Sequence, residues 1–132
     1  MTREEVMALT DEELRIRAAE SLGLRVSVAA DGGVSELGDG KTRHYRDAVI
    51  PDYPHDIAAA WELVQVAAER GLWVRVLGPF FKGQPYWAGF SPHMTTGWNG
   101  RMDYEEEGDT APLAITRAFV LAMSTEVVGG NA

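Results

Sequence analysis

Histidine titrates near neutrality and readily ligates metals, so His44, His55 and His93 are the first residues to weigh for chemistry. They are far apart, and no two have the short spacing of a zinc-ligand pair. His55 stands beside Asp56 at a helix start, a position open to solvent from which it could act as a general base. No Ser or Cys nucleophile motif accompanies it. Gly38-Asp39-Gly40-Lys41-Thr42 ends like a phosphate-binding loop, but Ser35 occupies the position where that motif needs its first glycine. It reads as a polar turn. The acidic run Asp103 to Asp109 lacks the spaced oxygen ligands of a calcium loop and reads as a solvated loop, with Glu105-Glu106-Glu107 too charged for a core. The residue types therefore suggest no catalytic constellation, no metal site and no bound cofactor.

Aromatic and cationic residues are the more suggestive supply. Trp98 lies in a polar stretch, Thr95-Thr96-Gly97-Trp98-Asn99-Gly100-Arg101, where the indole could stack on a base and Arg101 could hold a phosphate. Trp87 could do the same if its strand face opens into a pocket. Tyr53, His55 and Asp56 gather at a helix start, where ligand groups often collect. Trp98, Arg101, Trp87, Tyr53, His55 and Asp56 are the candidate ligand-binding residues.

The elements that must position them belong to one domain. The chain has 132 residues, 45 % of them hydrophobic, which is enough to bury a core. It contains no cysteine, which excludes disulfides and thiolate metal sites and suits a reducing cytoplasm. The N-terminus Met1-Thr2-Arg3-Glu4-Glu5 is unlike a secretory signal, and no apolar run is long enough to span a bilayer. A net charge of −8 argues against a duplex nucleic-acid partner while leaving room for a small anionic ligand held by local arginines.

Thr10 to Glu13 has the pattern of a capping box and opens a helix over about residues 11–22 that Gly23 stops, with a shorter turn from Arg3 to Leu9 before it. Leu24 to Ala30 alternates as a strand, Asp31-Gly32-Gly33 turns the chain, and Val34 to Leu37 pairs back. Gly38 to Arg46 is a loop. Ile57, Trp61, Val64 and Ala68 form a helical stripe expected to be buried, with Pro54 in the first turn and Gly71 at the end. Leu72 to Leu77 and Tyr86 to Ser91 are strands. In the second, Tyr86, Ala88 and Phe90 share the face opposite Trp87 and Gly89. Gly97 to Tyr104 is a further candidate strand. Asp109 or Thr110 caps a last helix whose stripe is Ile115, Ala118, Phe119 and Ala122, and residues 126–132 form a frayed tail. Hairpin-length connections favour an α+β domain with a mostly antiparallel sheet flanked by helices.

Ile50-Pro51-Asp52-Tyr53-Pro54-His55-Asp56-Ile57-Ala58-Ala59-Ala60-Trp61-Glu62-Leu63-Val64 resembles a motif of the phage ABA sandwich family, which typically shows a Tyr, a small hydroxyl pair and then Asp-Ile-Ala-Ala-Ala-Trp-Glu. Ala111-Pro112-Leu113-Ala114-Ile115-Thr116-Arg117-Ala118 resembles that family's closing helix. Glu12-Glu13-Leu14, Ala18-Ala19-Glu20, Leu22-Gly23 and the Trp87 strand fit its pattern too. Pro54 and His55 stand where the family usually has Ser and Thr, so Asp52 is expected to replace the usual helix cap. The resemblance implies an α/β/α sandwich over residues 1–132 and a phage or prophage origin. It fixes no activity.

Three functions are compatible with these residues. The favoured one is a non-enzymatic protein that sequesters a nucleotide-derived host immune signal, by analogy with small phage proteins that counter host defences, with the ligand pocket in a homo-oligomer interface or within the chain. The alternative is a protein-interaction module that inhibits a host factor through an acidic, aromatic surface. An enzyme ranks last, for want of a nucleophile, base and oxyanion donors.

Overall fold

The computed structural model describes residues 1–24, 26–28, 34–36, 50–79, 81–93 and 102–130. The turn expected at Asp31-Gly32-Gly33, the loop from Gly38 to Arg46 with its phosphate-loop-like segment, and the candidates Trp98 and Arg101 lie outside those residues.

Helix ends are set by local chemistry. Thr10 accepts from the Glu13 amide at 3.1 Å while Glu13 accepts from the Thr10 amide at 2.8 Å, closing the expected capping box of α2 (Asp11–Ser21). The same reciprocal pair, Thr2 with Glu5, caps the five-residue α1 (Arg3–Met7). Gly23 and Gly71 both take φ +88°, a conformation costly for any residue with a Cβ. Each lets the chain close a Schellman motif, Leu24 N–H to the Ala19 carbonyl at 3.1 Å after α2 and Leu72 N–H to the Ala67 carbonyl at 2.9 Å after α3 (Ile57–Glu69).

The start of α3 differs from expectation. Asp56, not Asp52, is its cap, accepting from the Ala58 amide at 2.9 Å. Pro54 precedes the helix in a turn spanning residues 53–55, where its ring is buried. The buried side of α3 is Ala59, Ala60, Leu63, Val64 and Ala67, so Ile57, Trp61 and Ala68 face solvent rather than the core. Apolar residues surround most of this helix, and the small alanines permit the closer helix–helix contact. Packing therefore selects the alanine side over the side carrying the bulky indole.

A two-stranded antiparallel ribbon joins β1 (Val26–Val28) to β2 (Val34–Glu36). The main sheet has order β3-β4-β5, antiparallel throughout, from β3 (Trp73–Leu77), β4 (Tyr86–Ser91) and β5 (Tyr104–Gly108). The fold is thus mixed α+β with an antiparallel sheet, as the hairpin-length connections suggest. The fifth strand is a correction. It begins at Tyr104 and runs through Glu105, Glu106 and Glu107, the stretch expected to be a solvated loop, and it places Glu106 in the interior with no exposed surface. At its end, a Cβ on Gly108 would meet the Ala114 backbone nitrogen at 2.7 Å, so only glycine lets β5 turn this tightly into α4 (Ala111–Gly130).

Thr110 begins α4, its hydroxyl accepting from the Leu113 amide at 3.4 Å. The helix runs to Gly130, and the last two residues of the expected tail lie outside the described residues. Glycine weakens a helix by about 1 kcal/mol without forbidding it. Ala114, Ile115, Ala118, Phe119, Val120, Leu121, Ala122 and Met123 are all buried, and α4 packs on β4 and β5 and also on α1, α2 and α3. Phe119 meets Phe90 edge to face with ring centroids 6.2 Å apart. One apolar cluster joins these residues to Val6, Leu14, Ile50, Tyr53, Leu63 and Leu72. Among the described residues, no helix is long and apolar enough to cross a membrane.

Leu63→Ala is expected to cost about 2–5 kcal/mol in denaturant unfolding, as for a buried leucine. Trp61→Gln is expected to stay within about 0.5 kcal/mol of wild type, since it removes no core contact. Comparable losses for both would return Trp61 to the core.

Candidate functional site

Polar groups with unusual surroundings gather at two places, and exposed apolar groups at a third. The first is the junction between α2 and the turn leading into α3. Arg15 of α2 donates from Nε to the carbonyls of Ile50 at 3.1 Å and Pro51 at 3.2 Å, and from Nη2 to Ile50 again. These bonds hold the turn against α2. Tyr53 goes into the core with 1 % of its surface exposed, so its ring offers no face to a ligand. His55 points outward and bridges two carboxylates, with Nδ1 2.9 Å from Asp52 Oδ1 and Nε2 2.7 Å from Asp11 Oδ2. Two acceptors on two ring nitrogens call for a proton on each, and the hydrogen bonds to Asp52 and then Asp11 raise the imidazole above its ordinary value of 6.5. Asp56 is occupied as the helix cap. His55 and Asp56 are thus adjacent as expected, but the carboxylates that engage His55 are Asp52 and Asp11. A histidine already bonded at both nitrogens is poorly placed as a general base. It works instead as a clasp between α2 and α3.

The second place lies on the inner side of β5. Glu106 is fully buried, and its nearest cation is Arg3 of α1, with Nε 3.5 Å from Oε1. Neither carboxylate oxygen accepts a hydrogen bond among the described residues, and the Nε atoms of Arg3 and Arg117 are likewise buried without one. Arg117 spends Nη1 on the Glu107 carbonyl at 2.8 Å. Burial pushes the Glu106 carboxyl up to about 7, against the pull of Arg3 and Arg117 and with a small further push from Glu4. The Arg3 guanidinium carbon is also 6.0 Å from the centroid of the half-buried Trp87 ring. The candidate aromatic Trp87 thus lies beside an arginine, and that arginine is Arg3. Sequence reasoning missed Glu106, because three successive glutamates hide which one points inward.

The third place is the outer side of α3 and the neighbouring strand β3. Ile57 and Trp61 on α3 expose 51 % and 49 % of their surfaces, and Val74 on β3, on the sheet face of its partner Phe90, exposes 36 %, whereas Trp73, 51 % exposed, lies on the opposite face. The two elements are in contact. β3 pairs with β4 on one side, and no described strand pairs with its other edge. Arg75, in the middle of β3, reaches across to Glu105 at 3.4 Å. Among the described residues, no group of His, Asp and Glu could hold a metal ion.

No family model, curated protein or solved structure matches the chain.

A histidine raised above its unfolded value contributes stability that is present below about 6.5 and lost as pH rises through the folded value. His55→Gln is therefore expected to lower the melting temperature at pH 6 and to have little effect at pH 9. The His55 side chain is 56 % exposed, so the solvent-screened bridge contributes less than about 1 kcal/mol. An equal loss at both pH values would show that His55 acts without its charge.

Proposed function

We propose that this chain is a non-enzymatic binding protein whose working face is the outer side of α3 together with the edge strand β3, and that it acts by occupying a host protein. The observation that carries this reading is the exposure of Ile57 and Trp61 on α3 and of Val74 on the strand β3 that it touches. Large apolar side chains grouped on a surface, tryptophan above all, are the usual anchors of protein interfaces. The backbone supports the same reading. A strand edge offers N–H and C=O groups to an incoming extended segment. The opposite edge, β5, is lined with glutamates that discourage such pairing, whereas β3 reads Trp-Val-Arg-Val-Leu. A net charge of −8 favours a partner with a basic rim. A phage or prophage origin, implied by the sequence resemblance, supplies the setting in which a host protein would be the target.

Sequestration of a nucleotide-derived signal is the second reading, and the Arg3–Trp87 pair favours it, with a ring for stacking and a guanidinium for phosphate. Pull-downs from host lysate with wild type and with Ile57→Ser/Trp61→Ser separate the readings. The expected result is a protein captured by wild type and lost in the double variant, with no thermal shift against cyclic dinucleotides, cyclic ADP-ribose isomers or mononucleotides. A ligand present at a hundred times its dissociation constant would add about 2.7 kcal/mol. A selective shift that survives the double variant and disappears in Trp87→Ala would move the function to nucleotide capture.

A further inference from the structure

We propose that the open edge of β3 pairs with the same edge of a second copy of this chain, joining two three-stranded sheets into one antiparallel sheet about a two-fold axis at Arg75. The inference rests on the docking reading in taking this edge as a working surface, and it adds that a second copy competes there with a host segment.

A strand edge invites pairing unless proline, a bulge or charge blunts it. β3 contains no proline, and its register with β4 runs unbroken from Trp73 opposite Ser91 to Leu77 opposite Trp87, so no bulge turns the edge away. Among the described residues, no strand pairs with its far side. Trp73 and Val74 are both exposed there, one on each face of the sheet. A partner resting on one face would cover only one of them. A strand added at the edge flanks both.

The sequence of β3 selects a second copy as that strand. Antiparallel pairing about Arg75 sets Trp73 of one copy opposite Leu77 of the other, and Val74 opposite Val76. The valine pairs lie on the face of Ala88 and Phe90, which α4 covers, and the Trp73–Leu77 pairs lie on the other face. Apolar residues therefore meet apolar residues on both faces, and such cross-strand pairs are what stabilise joined strands. A slip of one residue would set Arg75 against a valine and bring the helix-covered face of one copy beside the bare face of the other.

Arg75 meets its own copy at the axis, and like charges directly opposite repel. Each Arg75 is turned along its own sheet, across Gly89, to Glu105 at 3.4 Å, so the seam receives no net charge. The net charge of −8 on each copy still repels at longer range, and the seam is short. The dimer is therefore weak and is strengthened by salt.

Sedimentation equilibrium of the intact chain, with no host protein present, tests the pairing. From micromolar to millimolar protein at about 0.15 M salt, the average mass is expected to rise from 14.5 kDa toward twice that value. Val74→Lys changes an exposed position and brings two lysines into diagonal contact across the seam, so it should weaken association roughly 10-fold. Ile57→Ser/Trp61→Ser, which removes host capture under the docking reading, should leave association unchanged, so the two readings fail separately. The chain has no cysteine, so introduced thiols report the register. Oxidation should join Val74→Cys to Val76→Cys in a mixture and neither variant to itself. This crosslink decides should Val74→Lys fail to fold. A mass that stays at 14.5 kDa, a dimer that Val74→Lys leaves intact or Ile57→Ser/Trp61→Ser abolishes, or equal crosslinking within each variant overturns the proposal.

Discussion

The structure depends on the enclosure of α4. A helix that is apolar around most of its circumference cannot rest on a surface and must be surrounded. From Ala114 to Met123 every described position except the half-buried Arg117 is buried. One side of α4 lies on β4 and β5, and other parts of it receive α1, α2 and α3. Ala114, Ala118 and Ala122 follow at four-residue spacing and allow close approach, while Phe119 fills the space against Phe90. Thr116, the polar residue in this run, returns its hydroxyl to the Pro112 carbonyl at 2.8 Å and so adds no unpaired group. The capping boxes and Schellman turns set where the other helices begin and end. Burial against α4 gives those short helices their stability, because propensity alone would not hold them.

Once α4 has claimed its neighbours, the surfaces left over are determined. α3 presents its alanine-rich side to α4, and Ile57 and Trp61 remain outside. Trp73 and Val74 stay exposed on the edge strand that follows. These are ordinary consequences of giving one helix two apolar sides and the core room for one. The acidic surface does the reverse work at β5, where glutamates border the edge.

Features governed by local chemistry could be read from the sequence. The Thr10–Glu13 box, the stops at Gly23 and Gly71, the hairpin partners β3 and β4, and the Phe119 stripe all rest on spacings of a few residues. Features settled by tertiary competition could not. Trp61 shares a helical stripe with Ile57 and Ala68, but periodicity cannot choose between that side and the neighbouring side of Ala60, Leu63 and Ala67. The cap of α3 moved from Asp52 to Asp56 because Pro54 turns the chain before the helix rather than within it. In the candidate site, His55 was conspicuous as a polar residue at a helix start, but its partner Asp11 is 44 residues away, beyond any local pattern. Arg3 and Arg117 were invisible as a pair for the same reason.

Glu106 was hidden for a different reason, and it connects the sheet edge to the N-terminus. A strand needs alternation to show which side faces in, and Glu105-Glu106-Glu107 offers none. Its neighbours supply the missing parity. Tyr104 and Gly108 lie on the inner side, with Gly108 against α4, so Glu106 between them must point inward as well. Fully buried and paired with Ala88 on β4, its carboxyl gives up its hydration when the strand takes its place. That dehydration is offset in part by Arg3 and Arg117. Arg117 sits on the helix the fold cannot do without and is fixed. Arg3 sits on the five-residue α1, which packs on α4 and β5 with Val6 in the core. Through Arg3 and Arg117, this one glutamate therefore ties both α1 and α4 to the end strand of the sheet.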